Sequence, residues 1–206
     1  KIFINKFYNK VDLDFIIKIL EFSNPDKEKN SSYFTDNSLS LDILNNIPIL
    51  KGKIKILEPS VGSGSFLFQM IKKFSHFSSV QIDVFDIDTE ILNLLKLLLK
   101  KIKLSKNIKI NLFNKDFLKH KFDTSYDLVV GNPPFGKIKD KLILKEYKKA
   151  GIEISNNLFT LFLNKSLNLS KNVALVLPKS FISSPEHDQI RKKIERSKST
   201  RLNSSH

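Results

Sequence analysis

The sequence contains no cysteine among its 206 residues. The chain therefore has no disulfide, no thiolate ligand for zinc and no thiol nucleophile. Methylation of cytosine at carbon 5 is also excluded, because that reaction needs a cysteine that attacks the ring. No apolar run approaches the roughly 20 residues that a membrane-spanning helix needs, and no N-terminal stretch resembles a secretory signal. We therefore expect a cytoplasmic protein that does not act at a membrane.

Arginine is also scarce, although the chain is strongly basic. The formal net charge is +14, and only three of the 35 basic residues are arginine. A basic surface suits a phosphate-rich partner. However, abundant lysine, asparagine and isoleucine are also what an AT-rich genome encodes without selection for binding. The charge favours a nucleic-acid partner, and the sequence motifs are needed to decide between these two explanations.

Three segments are expected along the chain. Residues 1–30 are predicted to be a helical segment and linker, because residues 11–22 carry apolar side chains at helical spacing. The main domain is expected at residues 31–196, incomplete at its C-terminus. Residues 197–206 lack apolar periodicity and resemble a translated sequencing adapter, so we interpret them as a non-native tail. The chain is thus expected to be a truncated fragment of a longer protein.

Within the main domain, short apolar strands alternate with helices. This order predicts an α/β fold with a doubly wound, mostly parallel sheet and helices on both faces. In such sheets, ligands bind outside the carboxyl ends of the strands. Strands are predicted at residues 53–58, 80–87, 108–114, 127–131 and 173–177, and helices at residues 38–46 (with Ser38 as N-cap), 64–75, 88–102, 156–169 and 186–196.

The first two strands end in residues that suit a nucleoside ligand. Gly62 and Gly64 follow the first strand and allow a tight turn that a ligand can approach closely, although a plain strand-to-helix turn has the same pattern. Asp86, at the end of the second strand, can accept hydrogen bonds from two ribose hydroxyls, while Asp88 is predicted to cap the next helix. A metal site that also includes Asp83 is disfavoured, because strand alternation places Asp83 and Asp86 on opposite faces.

The third strand ends at Asp116 and Phe117. A carboxylate can accept a hydrogen bond from the exocyclic amine of an adenine, and the neighbouring phenyl ring can cover one face of the base. The alternative is a loop that simply buries its phenylalanine. The pair by itself does not decide between the two.

The fourth strand ends in the N-P-P-F tetrapeptide of residues 132–135. It lies downstream of an E-P-x-x-G-x-G turn and of the Asp-Phe pair. In this order the motifs resemble those of the S-adenosylmethionine-dependent N6-adenine DNA methyltransferases of restriction-modification systems. The resemblance covers residues 31–185, and the stretches at residues 157–163 and 173–181 also look like this family.

The tetrapeptide suits the chemistry of an aromatic amine. The lone pair of the adenine amine is delocalised into the ring, so the amine is a poor nucleophile. The side-chain oxygen of Asn132 and the backbone carbonyl of Pro133 can each accept a hydrogen bond from it, which favours a tetrahedral nitrogen. Pro134 helps to fix the backbone, and Phe135 would stack on a base that has left its duplex. Methyl transfer is then direct, with no metal and no covalent enzyme intermediate.

The resemblance implies S-adenosylmethionine as the cofactor and DNA as the partner. It also implies a Rossmann-like methyltransferase sheet, whose C-terminal strands we expect to be missing, and a separate or fused recognition or restriction subunit. The catalytic residues that it implies are Asn132, Pro133, Pro134 and Phe135. The cofactor-binding residues that it implies are Thr35, Glu58, Gly62, Gly64, Asp86, Asp116 and Phe117.

Two further classes of protein are alternatives. RNA adenine and protein-glutamine methyltransferases use closely related N-P-P-[FY] loops, and a non-catalytic remnant could bind the cofactor alone. The tetrapeptide specifies an amine acceptor but does not choose DNA over RNA. That choice rests on the motif around Thr35 and on a recognition region that we expect to be missing from this chain. Residues 137–149 contain six lysines, which could follow a phosphate backbone or form a solvated loop.

Overall fold

A computed structural model describes residues 37–48, 50–152 and 155–196 of the chain. Thr35, the predicted N-terminal helix and linker, and the tail at residues 197–206 lie outside the described residues. The predicted alternation of strands and helices is confirmed. In the part of the chain described, no helix is long and apolar enough to cross a membrane.

The structure contains five strands and seven helices in the described ranges. The strands are β1 (Lys53–Glu58), β2 (Ser79–Asp86), β3 (Ile108–Asn114), β4 (Leu128–Gly131) and β5 (Val173–Leu175). The helices are α1 (Asn37–Asn45), α2 (Ser65–Lys73), α3 (Thr89–Lys101), α4 (Lys141–Lys149), α5 (Leu158–Leu169), α6 (Ser180–Ser183) and α7 (Asp188–Arg196), and a 3₁₀ turn at Pro185–His187 precedes α7.

The five strands form one parallel sheet in the order β3-β2-β1-β4-β5. The chain first winds outwards from β1 to β3 and then returns to the other side of β1 for β4. The order therefore reverses between β1 and β4. In open α/β sheets, a crevice for ligands forms beside such a reversal, at the carboxyl ends of the strands.

Alternating side chains of the strands divide the core into two layers. Ile56, Val84 and Val130 pack on one face, against apolar residues of α1, α2 and α3. Leu57 and Val129 point to the other face, against α5, α6 and α7. Period-two alternation of this kind is what a sheet covered on both faces requires. The predicted doubly wound architecture is confirmed.

Several predicted bounds differ from the structure by one or two residues, and helix α4 was not predicted. Ser38 lies inside α1 and is not its N-cap, and β5 ends at Leu175, before the predicted boundary at residue 177. Residues 141–149, which were considered as a loop, form α4. Its lysines obscure the apolar periodicity of the helix. The local signal was Asp140, whose side chain accepts a hydrogen bond from Leu142 N at 2.7 Å and so caps the first turn.

Candidate functional site

A cavity of about 390 Å³ opens at the carboxyl ends of the first four strands. This volume suits a nucleoside-sized ligand. Seven of the predicted site residues line it: Glu58, Gly62, Asp86, Asp116, Phe117, Asn132 and Pro134. The fold thus brings together side chains that are far apart in the sequence. Gly64, Pro133 and Phe135 lie next to the lining residues in the chain but are not among them.

The two glycines of the first turn have different surroundings. Gly62 and Gly64 have φ angles of +50° and +88°, in the region that favours glycine. A Cβ atom on Gly62 would meet nothing within 4 Å, whereas one on Gly64 would lie 2.7 Å from Leu95 Cδ2 and 2.9 Å from Phe68 Cε2. Gly64 therefore allows α2 and α3 to pack closely beneath the turn, while Gly62 leaves space on the cavity side.

Glu58 is a buried carboxyl group at the base of the cavity. Its side chain is 1% exposed, and its Oε2 has no hydrogen-bond partner among the described residues. Burial, and secondarily the charge of Asp86, raise the pKa of Glu58 well above its ordinary value. A buried polar atom without a partner is rare and costly. Glu58 is thus suited to bind a polar group of a ligand in the cavity.

Asp86 is held by backbone donors on both oxygens. Gly62 N donates to Oδ2 and Asp88 N donates to Oδ1, both at 2.9 Å. Burial raises the pKa of Asp86, although the same backbone hydrogen bonds lower it in part. Each carboxylate oxygen can accept a second hydrogen bond, so the group can still accept from a diol. The side chain of Asp88 accepts from Glu90 N and Ile91 N, which confirms the predicted helix cap.

Asp116 and Phe117 lie side by side at the end of β3. Phe117 is 2% exposed and packs in an aromatic cluster that includes Phe85 and Phe162, and it also lines the cavity. Asp116 Oδ1 accepts from Leu118 N at 2.8 Å. Phe117 is therefore a buried core residue that also reaches the cavity, and its contact with an adenine ring stays a prediction.

The N-P-P-F loop is tied to the first turn. Ser60 Oγ donates a hydrogen bond of 2.9 Å to the backbone carbonyl of Asn132. Asn132 Oδ1 is buried, and the Pro133 residue is buried as well. The ring of Phe135 is partly buried and meets Phe159 edge-on at 6.3 Å. The loop that follows β4 is therefore positioned relative to the loop that follows β1.

Among the lining residues that sequence reasoning missed are Ile87, Ile143 and Tyr147. Ile87 is 66% exposed, which is unusual for a large apolar side chain directly after a buried strand. Its position directly after Asp86 is the sequence signal that could have identified Ile87 as a residue of the cavity. Ile143 and Tyr147 lie four residues apart on α4, so they required the helix to be recognised. Among the described residues, no group of three or more His, Asp or Glu side chains could hold a metal ion.

The sheet order and the position of the cavity match the Rossmann-like methyltransferase fold. A solved structure from Listeria monocytogenes, a candidate class I S-adenosylmethionine-dependent methyltransferase, superimposes with a TM-score of 0.63 over 92% of this chain and 62% of that protein, at 17% identity. This similarity concerns the fold.

The family follows from the sequence comparisons. The model of the Eco57I restriction-modification methylase family matches residues 15–203, and the chain belongs to this family. It is similar to the type II methyltransferase M.VspI of Vibrio sp. (strain 343), with 26% identity over 172 residues. It is also similar to the type II methyltransferase M.AccI of Acinetobacter calcoaceticus, with 27% identity over 184 residues. The matches cover 81% and 85% of this chain but only 41% and 33% of the two relatives, so the chain spans less than half of their length.

Proposed function

We propose that this chain is the cofactor-binding and catalytic part of a site-specific DNA methyltransferase of a restriction-modification system, which methylates the N6 amine of adenine. The observation that carries the proposal is the position of the N-P-P-F loop. Asn132 and Pro134 line the same cavity as Glu58 and Asp86. An amine-binding loop and a nucleoside-type pocket therefore share one space. The names of the curated relatives support the reaction class.

The residues of the cavity fit S-adenosylmethionine, which supplies an electrophilic methyl group on a positively charged sulfur. Asp86 is suited to accept hydrogen bonds from the ribose hydroxyls, and Asp116 from the exocyclic amine. Ile87 and Phe117 provide apolar surface for the adenine ring. Glu58, whose buried Oε2 has no hydrogen-bond partner in the described part of the chain, is suited to a polar group at the base of the cavity.

On the reaction side, the chain contributes hydrogen-bond acceptors and an aromatic ring. Asn132 Oδ1 and the Pro133 carbonyl would accept the two hydrogens of the target amine and make its lone pair available. Ser60 holds the Asn132 carbonyl, which orients the loop. Phe135, supported edge-on by Phe159, would stack on the flipped base. The amine nitrogen would take the methyl group as the sulfur–methyl bond breaks, which would leave the sulfur as a neutral thioether, and the methylated amine would release one proton to solvent.

For the DNA partner, α4 offers a basic outer face. Lys141, Lys145, Lys148 and Lys149 are exposed, and none of them lines the cavity. On a helical projection Lys145 and Lys149 lie opposite Tyr147, which lines the cavity, and Lys141 and Lys148 lie between Tyr147 and these two. We propose that these lysines contact DNA phosphates beside the site, in preference to the alternative of a merely solvated surface.

A transfer assay with tritium-labelled cofactor tests the proposed function. The unchanged chain is incubated with adenine-containing duplex DNA, single-stranded DNA, RNA or a glutamine-containing protein, and the labelled product is identified. N6-methyladenine in DNA is expected. A label found only in RNA or in protein would contradict the proposal and favour an alternative methyltransferase. Calorimetric binding of the cofactor with no transfer to any acceptor would favour a non-catalytic module.

A further inference from the structure

Helix α4 closes one side of the cavity. It contributes Ile143 and Tyr147 to the lining, one turn apart on the same face. The Tyr147 side chain is partly buried, whereas Leu142 on the same helix is 71% exposed and does not line the cavity. The helix therefore has one face at the cavity and another in solvent. Tyr147 is the residue of this inner face that carries a polar group.

The phenol of Tyr147 donates a hydrogen bond to Asp116 Oδ2 at 3.1 Å. Because Leu118 N donates to Oδ1 of the same carboxylate at 2.8 Å, both oxygens of Asp116 are held. Burial, followed by the negative charge of Asp116, raises the pKa of Tyr147. The phenol is therefore a protonated donor at neutral pH, and its direction towards Asp116 is set by the position of α4.

Further contacts link α4 to the loop that follows β3 and hold that loop. Glu146 accepts a hydrogen bond of 2.6 Å from Lys119, so two consecutive residues of the helix bind the loop that follows β3. This ion pair is exposed and contributes little by itself. The loop is also held from α5, where Lys165 Nζ donates to the backbone carbonyls of Leu118 and His120, both at 2.6 Å. Asp116 is thus fixed by its surroundings.

We infer that Tyr147 is a positioning residue for the nucleobase of the cofactor: it orients Asp116 so that Oδ2 accepts a hydrogen bond from the 6-amino group. This inference rests on the proposed function. Each carboxylate oxygen has two lone pairs, so Oδ2 can accept from the phenol and from an amine together. The carboxylate has no donor for a 6-keto group. Tyr147 and Asp116 would therefore form a pair that selects a 6-aminopurine over a 6-oxopurine.

The test compares two ligands that differ at this position. S-adenosylhomocysteine carries the 6-amino group and S-inosylhomocysteine carries a 6-keto group, and calorimetry gives the Kd of each for the full chain. The unchanged chain is expected to prefer the adenosyl ligand by about tenfold or more, because a carboxylate that faces a keto oxygen is left unpaired. Tyr147→Phe keeps the ring and removes the donor. It is expected to weaken adenosyl binding about 5- to 20-fold and inosyl binding by less than about twofold.

A double-mutant cycle connects this effect to Asp116. Asp116→Ala is expected to abolish the preference for the amine, and adding Tyr147→Phe should then cause no further loss, because the two residues act as a unit. Leu142→Ala, on the exposed face of the same helix, is the matched control and should leave both Kd values unchanged. Thermal unfolding of each variant verifies that it is folded.

The outcomes separate this inference from the proposed function. If Tyr147→Phe weakened the affinity for both ligands equally, the tyrosine would only support the wall of the cavity. That result would overturn the inference while the proposed function stands. Additive losses in the cycle would overturn it as well. If the unchanged chain binds neither ligand, the proposed function fails, and the inference fails with it.

Discussion

The two halves of the sheet are built differently. Strands β1, β2 and β3 contain six, eight and seven residues and are paired along most of their length. Strands β4 and β5 contain only four and three residues. The first half carries the proposed cofactor residues, and the second half carries the N-P-P-F loop. The length of strand pairing thus differs between the proposed binding part and the proposed reacting part.

The connections at the ends of the strands differ in the same way. In the first half, backbone N–H groups hold the carboxylate of Asp86, and such bonds persist when neighbouring side chains change. In the second half, side chains add to the backbone hydrogen bonds that hold the loop. Ser60 donates to the Asn132 carbonyl, and Glu186 pairs with Lys137 at 3.1 Å, while Leu158 N donates to the Gly136 carbonyl. We therefore expect substitutions in the second half to affect the reaction more than binding, and those in the first half to affect binding and stability.

Asn132→Ala is expected to have the largest effect. Without the side-chain oxygen, one of the two acceptors for the target amine is lost, and methyl transfer should fall about 10²- to 10³-fold. Cofactor binding should change little, because the residues for the nucleoside lie at other strand ends. Tritium transfer and calorimetry measure the two quantities separately. An equal loss of methyl transfer and of cofactor binding would contradict the proposed division of roles between the two halves of the sheet.

Asp86→Ala tests the proposed role of the first half of the sheet in cofactor binding, with Asp88→Ala as its control. Loss of the Asp86 carboxylate should weaken cofactor binding about 10- to 100-fold, since hydrogen bonds to a charged acceptor are involved. Asp88→Ala removes the cap of α3 and should cost about 1 kcal/mol of stability. Asp88 also lines the cavity, but its side chain is bonded to the first turn of α3, so cofactor binding should weaken much less than in Asp86→Ala. If both variants weakened binding equally, the assignment of the ribose hydroxyls to Asp86 would be wrong.

Gly64→Ala and Gly62→Ala compare two glycines of the same turn, one packed closely against two helices and one beside open space. A methyl group on Gly64 would collide with Leu95 and Phe68 at a φ angle of +88°, and we expect a loss of about 2 kcal/mol in the free energy of unfolding. Gly62→Ala meets no atom within 4 Å and should cost about 1 kcal/mol through its backbone conformation alone. Chemical denaturation measures both values, and equal losses would contradict the packing role of Gly64.

Glu58→Gln should change the dependence of stability on pH. Because the folded state raises the pKa of Glu58, its protonated form stabilises the fold below the ordinary value of 4.5, and this contribution is lost as the pH rises towards the folded-state pKa. Glutamine does not titrate, so the variant lacks this pH-dependent contribution to stability. Its stability relative to the unchanged chain should therefore rise with pH above 4.5, by about 1.4 kcal/mol per pH unit within that window. Thermal unfolding across pH measures the difference, and a constant difference would contradict it.

The smallest effect is expected from the lysines of α4. Lys145→Gln together with Lys149→Gln should reduce the slope of log K against log salt for DNA binding by about one per phosphate contact removed. The same double change at Lys100 and Lys101, in the last turn of α3, is the control, because it alters the net charge equally at a distance from the site. An identical change in slope for both pairs would indicate that only net charge matters.

Much of the fold could be predicted because its signals are local. Apolar runs of strand length alternate with helical periodicity, and β3 was predicted with its observed bounds. Helix α4 was missed because four of its nine residues are lysine, and propensity and capping are weaker signals than an apolar stripe. The end of β5 was misjudged because the apolar residues Val176 and Leu177 continue the pattern after strand pairing stops.

The sequence by itself determined the order of motifs and the parallel sheet, and it led to the proposed amine-type chemistry of residues 132–135, because these depend on residue types and on spacing along the chain. Only the tertiary structure decided that Gly64 serves packing whereas Gly62 borders the cavity, that Ser60 holds Asn132, and that Tyr147 holds Asp116. These contacts join residues separated by 72 and 31 positions in the chain. Their geometry follows from how helices and strands pack in space, which no local pattern specifies.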